Sequence, residues 1–303
     1  MTTNLTGLIA ATYTPMHADG SVNVDQIPKM VAHLRAMQVE GLYVCGSTGE
    51  GISLTSDERR RVAEAYVQAS GDLPVVVQVG HNSMFEAAEL AAHAQEIGAD
   101  AVSANAPSYF KVTDVETLVG CMAELAKGAP NLPFYYYHIP HLTGAAMDMV
   151  SFLDEAKAAV PTLAGIKYTA PTVYGFQECV EYDDGRFTAL WGSDEMLLSA
   201  LAVGGKGAVG STYNIAAPLY QRMIKCFEQG DMQSAREWMS KAVLMVRTIF
   251  RYPFQSASKA ILEMQGVECG QCRLPLGSIT SEQKRKLRDD LKSIGFFEWT
   301  QPE

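Results

Sequence analysis

The amino-acid sequence predicts an α/β fold, a (β/α)8 TIM barrel followed by a C-terminal helical extension. Two observations carry this. Eight short β-rich runs recur within residues 7–210, and helical patterns with recognisable start signals fill the gaps between them. Beyond Ser211 the strand signal stops and only helical patterns remain.

The strand runs are Gly7–Tyr13, Gly41–Cys45, Pro74–Val79, Asp100–Asn105, Pro133–Ile139, Leu163–Tyr168, Phe187–Trp191 and Gly207–Gly210. Cores such as Val75-Val76-Val77 and Phe134-Tyr135-Tyr136-Tyr137 are nearly continuous apolar runs, as expected of strands covered on both faces. Asp25–Met37, Met84–Ile97 and Asp114–Lys127 read as helices. Thr55-Ser-Asp-Glu58 is a capping box, in which hydroxyl and carboxylate satisfy each other's backbone N–H groups. Asn82-Ser83 starts the Ala-rich helix that Gly98 ends. Intervals of roughly 20 to 35 residues between strands suit βα units with short loops. An open doubly wound sheet stays the alternative, because periodicity does not prove closure. Pro218–Gln229, Asp231–Arg251, Ser256–Gln265 and Ser281–Ile294 then read as helices. In the second, Ala235, Trp238, Met239, Ala242, Val243 and Val246 form an apolar stripe. The expected division is a catalytic barrel over 1–225 and a packed helical extension over 226–303.

Composition narrows the partners. The 303 residues are 48% hydrophobic and 19% charged, with 34 acidic against 24 basic side chains and a formal net charge of −10. That balance disfavours nucleic acid, whose phosphates demand clustered Lys and Arg, and equally an anionic membrane surface. No run approaches a membrane span, and the N-terminal segment has no basic region and meets Pro15 early, so neither a signal nor a transit peptide is expected. Six scattered cysteines form no disulfide framework. Cys269 and Cys272 lack a second ligand pair for zinc and read as ordinary thiols. A cytoplasmic protein acting on a small molecule is expected.

In a barrel, chemistry gathers at the C-terminal ends of the strands. The second strand runs into Gly46-Ser47-Thr48-Gly49-Glu50-Gly51, which fits neither a dinucleotide fingerprint nor a Walker A loop. Its hydroxyls and free N–H groups suit a carboxylate or a single phosphate; a plain βα turn is the alternative. Gly204–Thr212 is Gly-rich, but Ala200 occupies the place of a Walker glycine, so tight packing is the simpler account. The sixth strand ends Gly165-Ile166-Lys167-Tyr168-Thr169. A Lys in an apolar strand is costly to bury; desolvation favours its neutral amine, the nucleophile for a Schiff base, unless it reaches solvent or a carboxylate. In Tyr135-Tyr136-Tyr137, the first and third share one face of the strand. His138 and His141 are not expected to bind metal, because Pro140 lies between them.

Taken together, Gly-Ser-Thr-Gly-Glu, Tyr-His-Ile-Pro, Gly-Ile-Lys and Gly-Ser-Thr-Tyr-Asn resemble the dihydrodipicolinate synthase and N-acetylneuraminate lyase family of pyruvate-dependent class I aldolases, in order and spacing over essentially the whole chain. The resemblance implies a homotetrameric barrel enzyme with no metal or cofactor. It implies Lys167 as the Schiff-base lysine, Tyr137 as proton shuttle, and Ser47 and Thr48 as the holders of the substrate carboxylate. Within the family, the synthase branch places an Arg two residues after the Pro of the tyrosine motif, where this chain has Leu142, which cannot pair a carboxylate. That favours the lyase branch and its reversible cleavage of N-acetylneuraminate to pyruvate and N-acetyl-D-mannosamine, with 2-keto-3-deoxy sugar acids as the alternative substrates. Gly192, Asp194 and Glu195 resemble that branch's sugar-binding Gly-x-Asp-Glu, and Thr169 and Ser211 its further contacts. His138 stands where bacterial members commonly carry Asn, and Ser193 where some carry an aromatic. In Pro107-Ser108-Tyr109-Phe110, Tyr109 is the candidate contact to a neighbouring subunit.

Overall fold

The computed structural model describes residues 5–302; Met1–Asn4, at the start of the segment expected to hold no leader, lie outside them. Eight strands occur among the described residues: β1 (Gly7–Ala11), β2 (Gly41–Val44), β3 (Val75–Gln78), β4 (Ala101–Asn105), β5 (Phe134–His138), β6 (Leu163–Tyr168), β7 (Thr188–Trp191) and β8 (Gly207–Gly210). Each pairs in parallel with the next, and β8 returns to β1 with Ile9 opposite Val209. The sheet is a closed barrel, which excludes the open doubly wound arrangement.

Alternation along each strand divides the apolar residues into two layers. Ile9, Tyr43, Val76, Tyr135, Tyr137, Leu190 and Val209 pack into one cluster that fills the barrel. Their strand neighbours Ala10, Leu42, Val75, Tyr136 and Trp191 belong to the larger cluster between the barrel and its helices. The register sets Tyr137 opposite Lys167 and Lys167 opposite Leu190, so the lysine shares the inward face.

The helices are α1 (Ile27–Ala36), α2 (Ser56–Ser70), α3 (Met84–Glu96), α4 (Val115–Ala126), the short α5 (Pro140–Thr143), α6 (Met149–Ala159), α7 (Val173–Gly185), α8 (Leu197–Ala202), α9 (Tyr213–Glu228), α10 (Met232–Ile249), α11 (Phe254–Met264), α12 (Ser281–Ser293) and α13 (Phe296–Trp299). The capping box of α2 is formed: Glu58 N–H donates to Thr55 Oγ1 over 3.2 Å and Thr55 N–H to Glu58 Oε2 over 2.9 Å. Ser83 caps α3, and Gly98 follows it at φ +81°, a turn that a side chain would strain.

One helix begins earlier than Pro218 suggested. A first turn at Tyr213–Ala216 is held by Ala216 N–H donating to Thr212 O, and the chain kinks at Ala216. Pro218 follows the kink, where it displaces no interior helical hydrogen bond. α9 is therefore the eighth barrel helix, and residue 225 lies in its last turn. α10 lays its buried Ala235, Met239, Ala242 and Val246 into the outer core, packing on α9. Among the described residues no helix is long and apolar enough to cross a membrane.

The wall behind the sixth and seventh strands is aromatic. Phe176 of α7 is fully buried, its ring 5.0 Å from Trp191 and 5.9 Å from Tyr168 between centroids. Phe176→Ala removes this wedge and leaves a cavity, at an expected cost of about 3–5 kcal/mol. Urea unfolding should show a lower midpoint at an unaltered slope; an unchanged midpoint would mean that the wall collapses freely around the loss.

Candidate active site

The strands' C-terminal ends open into a cavity of about 370 Å³. It brings together Ser47, Thr48, Tyr137, Lys167, Thr169, Gly192, Asp194, Glu195 and Ser211, contributed by strand ends and loops distant in sequence. Of the sequence-predicted positions, Tyr109 alone stands apart: it is 79% exposed beside Phe110, on a loop whose Ser108 and Tyr109 N–H groups donate to Asn82 Oδ1.

Lys167 comes from β6 with only 4% of its surface exposed. Its Nζ lies 3.9 Å from the centroid of the Tyr137 ring and 4.0 Å from that of Tyr43. Burial drives the amine down to about 7, with the Asp194 carboxylate pulling the other way. Two aromatic faces offer a cation modest compensation, less than water does. Burial pushes the Tyr137 phenol up to about 12, with the neighbouring Ser47 and Thr169 hydroxyls pulling the other way. At neutral pH the phenol is thus a proton donor beside a partly neutral amine. Tyr43, which in sequence is one residue of an apolar run, donates its hydroxyl to Ser103 Oγ over 3.0 Å and sets its ring edge-on to Tyr137.

On the loop after β2, Thr48 Oγ1 and Ser211 Oγ share a hydrogen bond of 2.6 Å, joining the candidate carboxylate site to the end of β8. Across the cavity, Asp194 Oδ2 accepts from Thr212 N–H over 2.8 Å and from Thr212 Oγ1 over 2.6 Å. Burial still raises this carboxyl to about 6. Trp191 Nε1 donates to Ser193 O over 2.6 Å, which fastens the loop carrying Gly192. Close approach explains two glycines. A Cβ on Gly192 would stand 1.9 Å from Thr169 Oγ1, and one on Gly210 1.9 Å from Asp194 Oδ1.

Leu142 and His141 line the cavity mouth, opposite Val246, Phe250, Phe254 and Gln255 from the C-terminal helices. That contribution of the extension escaped the sequence reading, although the chain brings Phe250 and Phe254 together with ring centroids 4.6 Å apart. His138 faces the other way, buried against Tyr168 and Tyr136, and burial lowers it to about 4. Beneath the loop, Glu50 and Lys259 form an ion pair of 2.6 Å with both side chains wholly buried. A lysine among Ala257, Ala260 and Ile261 was the available signal, of the same kind that marked Lys167.

A dry amine at a barrel strand's end, facing a phenol and a hydroxyl-lined loop, is the equipment of a class I, Schiff-base aldolase. The chain belongs to the dihydrodipicolinate synthetase family, whose model matches residues 4–294. The N-acetylneuraminate lyase of Mus musculus is 41% identical over 298 residues, which cover 96% of this chain and 93% of that one. Among solved structures, Proteus mirabilis N-acetylneuraminate lyase superposes with a TM-score of 0.94 at 40% identity, over 97% of this chain and 99% of that one. The N-acetylneuraminate lyase (sialic acid aldolase) of Aliivibrio salmonicida gives 0.94 at 38% identity, over 97% and 98%.

The lysine's desolvation has a cost visible in folding. Between about pH 7 and pH 10 the unfolded chain holds the Lys167 proton and the folded one does not, so this group's contribution to stability rises with pH there and is lost as pH falls. Lys167→Met should therefore raise the urea midpoint at pH 7, with a gain that shrinks toward pH 10; an equal gain at both would show that the amine is not desolvated.

Proposed function

We propose that this protein is a Schiff-base aldolase that reversibly cleaves N-acetylneuraminate into pyruvate and N-acetyl-D-mannosamine. The observation that carries the reading is Lys167, buried at the cavity floor between the Tyr137 and Tyr43 rings. Relatives and solved structures named for that activity, matched over nearly the whole chain, support the substrate.

The hydroxyls of Ser47 and Thr48 and the N–H groups of their loop bind the carboxylate of the 2-oxo acid. The neutral Lys167 amine adds to the C2 ketone, and Tyr137 gives its proton to the departing hydroxyl, so that loss of water leaves an iminium and a phenolate. Breaking the C3–C4 bond sends its electron pair into that iminium, giving an enamine, while the Tyr137 phenolate takes the C4 hydroxyl proton and C4 becomes the aldehyde of the amino sugar. Protonation at C3 and hydrolysis release pyruvate and free the amine. Gly192, Asp194, Glu195, Thr169 and Ser211 hold the polyol tail; with Oδ2 of Asp194 engaged by Thr212, Oδ1 remains to accept from a sugar hydroxyl. Leu142 at the mouth favours this substrate over one that needs a second carboxylate paired there.

The enzyme works as a cytoplasmic homotetramer in which Tyr109 reaches a neighbouring subunit's cavity. The 79% exposure of Tyr109 and 82% of Phe110 support the contact, and six free cysteines suit a reducing compartment.

Incubation with pyruvate followed by borohydride should leave a reduced adduct on Lys167, located by mass spectrometry; an adduct elsewhere, or none, would overturn the mechanism. Its rate of formation should fall as pH drops through about 7, because protonation removes the nucleophile. With N-acetylneuraminate, pyruvate release should fall on the order of 10²-fold or more in Tyr137→Phe while adduct formation partly survives. Release at the parent rate would remove the role given to the phenol. Faster release from a 2-keto-3-deoxy sugar acid would reassign the substrate.

A further inference from the structure

We infer that Lys259, on the C-terminal helix α11, is a positioning residue for the carboxylate-binding loop after β2, acting through Glu50. The inference rests on the role proposed above for Ser47 and Thr48.

Glu50 closes the loop. It sits at φ +58° and ψ 25°, its N–H donates to Ser47 O over 3.2 Å, and Gly51 N–H donates to Gly46 O over 3.1 Å. Ser47 and Thr48 thus occupy a tight turn whose last residue points its side chain into the protein rather than into the cavity that holds Lys167. Both carboxylate oxygens are held from far along the chain. Lys259 Nζ donates to Oε1 over 2.6 Å, and Arg273 N–H donates to Oε2 over 2.8 Å. Lys259 Nζ also donates to Gln271 O over 3.1 Å. Thr14 Oγ1, donating to Gly49 O over 2.7 Å, supports the turn from β1's side.

Two consequences follow from this arrangement. The turn that presents hydroxyls to an anion has a carboxylate three residues from Ser47, and an uncompensated negative charge there would oppose the ligand. Lys259 supplies the counter-charge. In direct contact at 2.6 Å and wholly buried, the pair also admits little displacement, so the orientation of Ser47 and Thr48 is fixed from beneath. Lys259 touches neither substrate nor Lys167; it acts through Glu50. The same helix carries Phe254 and Gln255 to the cavity mouth, so α11 sets two walls of one site.

The test compares Lys259→Arg with the double variant Glu50→Gln, Lys259→Met, which removes both charges together and leaves neither buried alone. The first readout is the concentration of pyruvate that half-saturates borohydride trapping on Lys167, measured beside hydroxyacetone, a ketone with no carboxylate. The second is turnover in the condensation direction. In the double variant, half-saturation by pyruvate and its KM should rise about tenfold or more, while kcat and hydroxyacetone trapping stay within about threefold of the parent. Lys259→Arg, which keeps the charge, should recover most of the loss. Should the double variant fail to fold, Lys259→Gln, which keeps a donor for Glu50 and removes only the counter-charge, is held to the same criterion. Unchanged pyruvate half-saturation, or equal weakening with both ketones, would overturn the positioning role and leave the aldolase reading intact. Failure of the parent to trap pyruvate on Lys167 would overturn that reading, and this inference with it.

Discussion

An ammonium group is costly to take out of water without a counter-charge, and this barrel buries two lysines by different means. Lys259 meets Glu50 in a wholly buried ion pair. Lys167 faces two tyrosine rings, and burial lowers it to about 7, which favours the free amine. The side chain is the same; the partner separates the proposed fastening from the proposed nucleophile. Everything else about the site follows from keeping Lys167 dry. The closed sheet supplies an interior without edges, the apolar cluster of Tyr43, Tyr137, Leu190 and Val209 supplies the floor, and the outer aromatic wall stops β6 and β7 from parting.

The cavity lining mixes two kinds of polar group, the hydroxyls of Ser47 and Thr48 and the carboxylates of Asp194 and Glu195. The proposed substrate, with a carboxylate at one end and hydroxyls at the other, offers a match to each, since its carboxylate set against Asp194 or Glu195 would put anion against anion. The net charge of −10 is therefore no obstacle to an anionic ligand, because the selection is local.

Much of the fold was legible because its determinants are local. Continuous apolar runs identified the strands, and Thr55–Glu58 and Ser83 identified helix starts whose caps form as read. The site was legible where residue type was itself anomalous, as with a lysine in the β6 strand. The rest depends on distant partners. The early start of α9 is decided by Thr212 and a kink at Ala216, which no propensity at Pro218 reveals. The role of Tyr43 as a face against Lys167 depends on barrel curvature, and Val246, Phe250 and Phe254 reach the mouth only because α10 and α11 fold back over the strand ends.

The bond from Lys259 to Glu50 spans 209 positions of sequence. All the residues proposed to react with or bind the substrate lie at or before Ser211, whereas the side chain that fastens the loop of Ser47 and Thr48 lies on α11. The loop proposed to hold the carboxylate thus takes its fastening from residues more than 200 positions further along the chain, and its geometry depends on the C-terminal helices having folded against it.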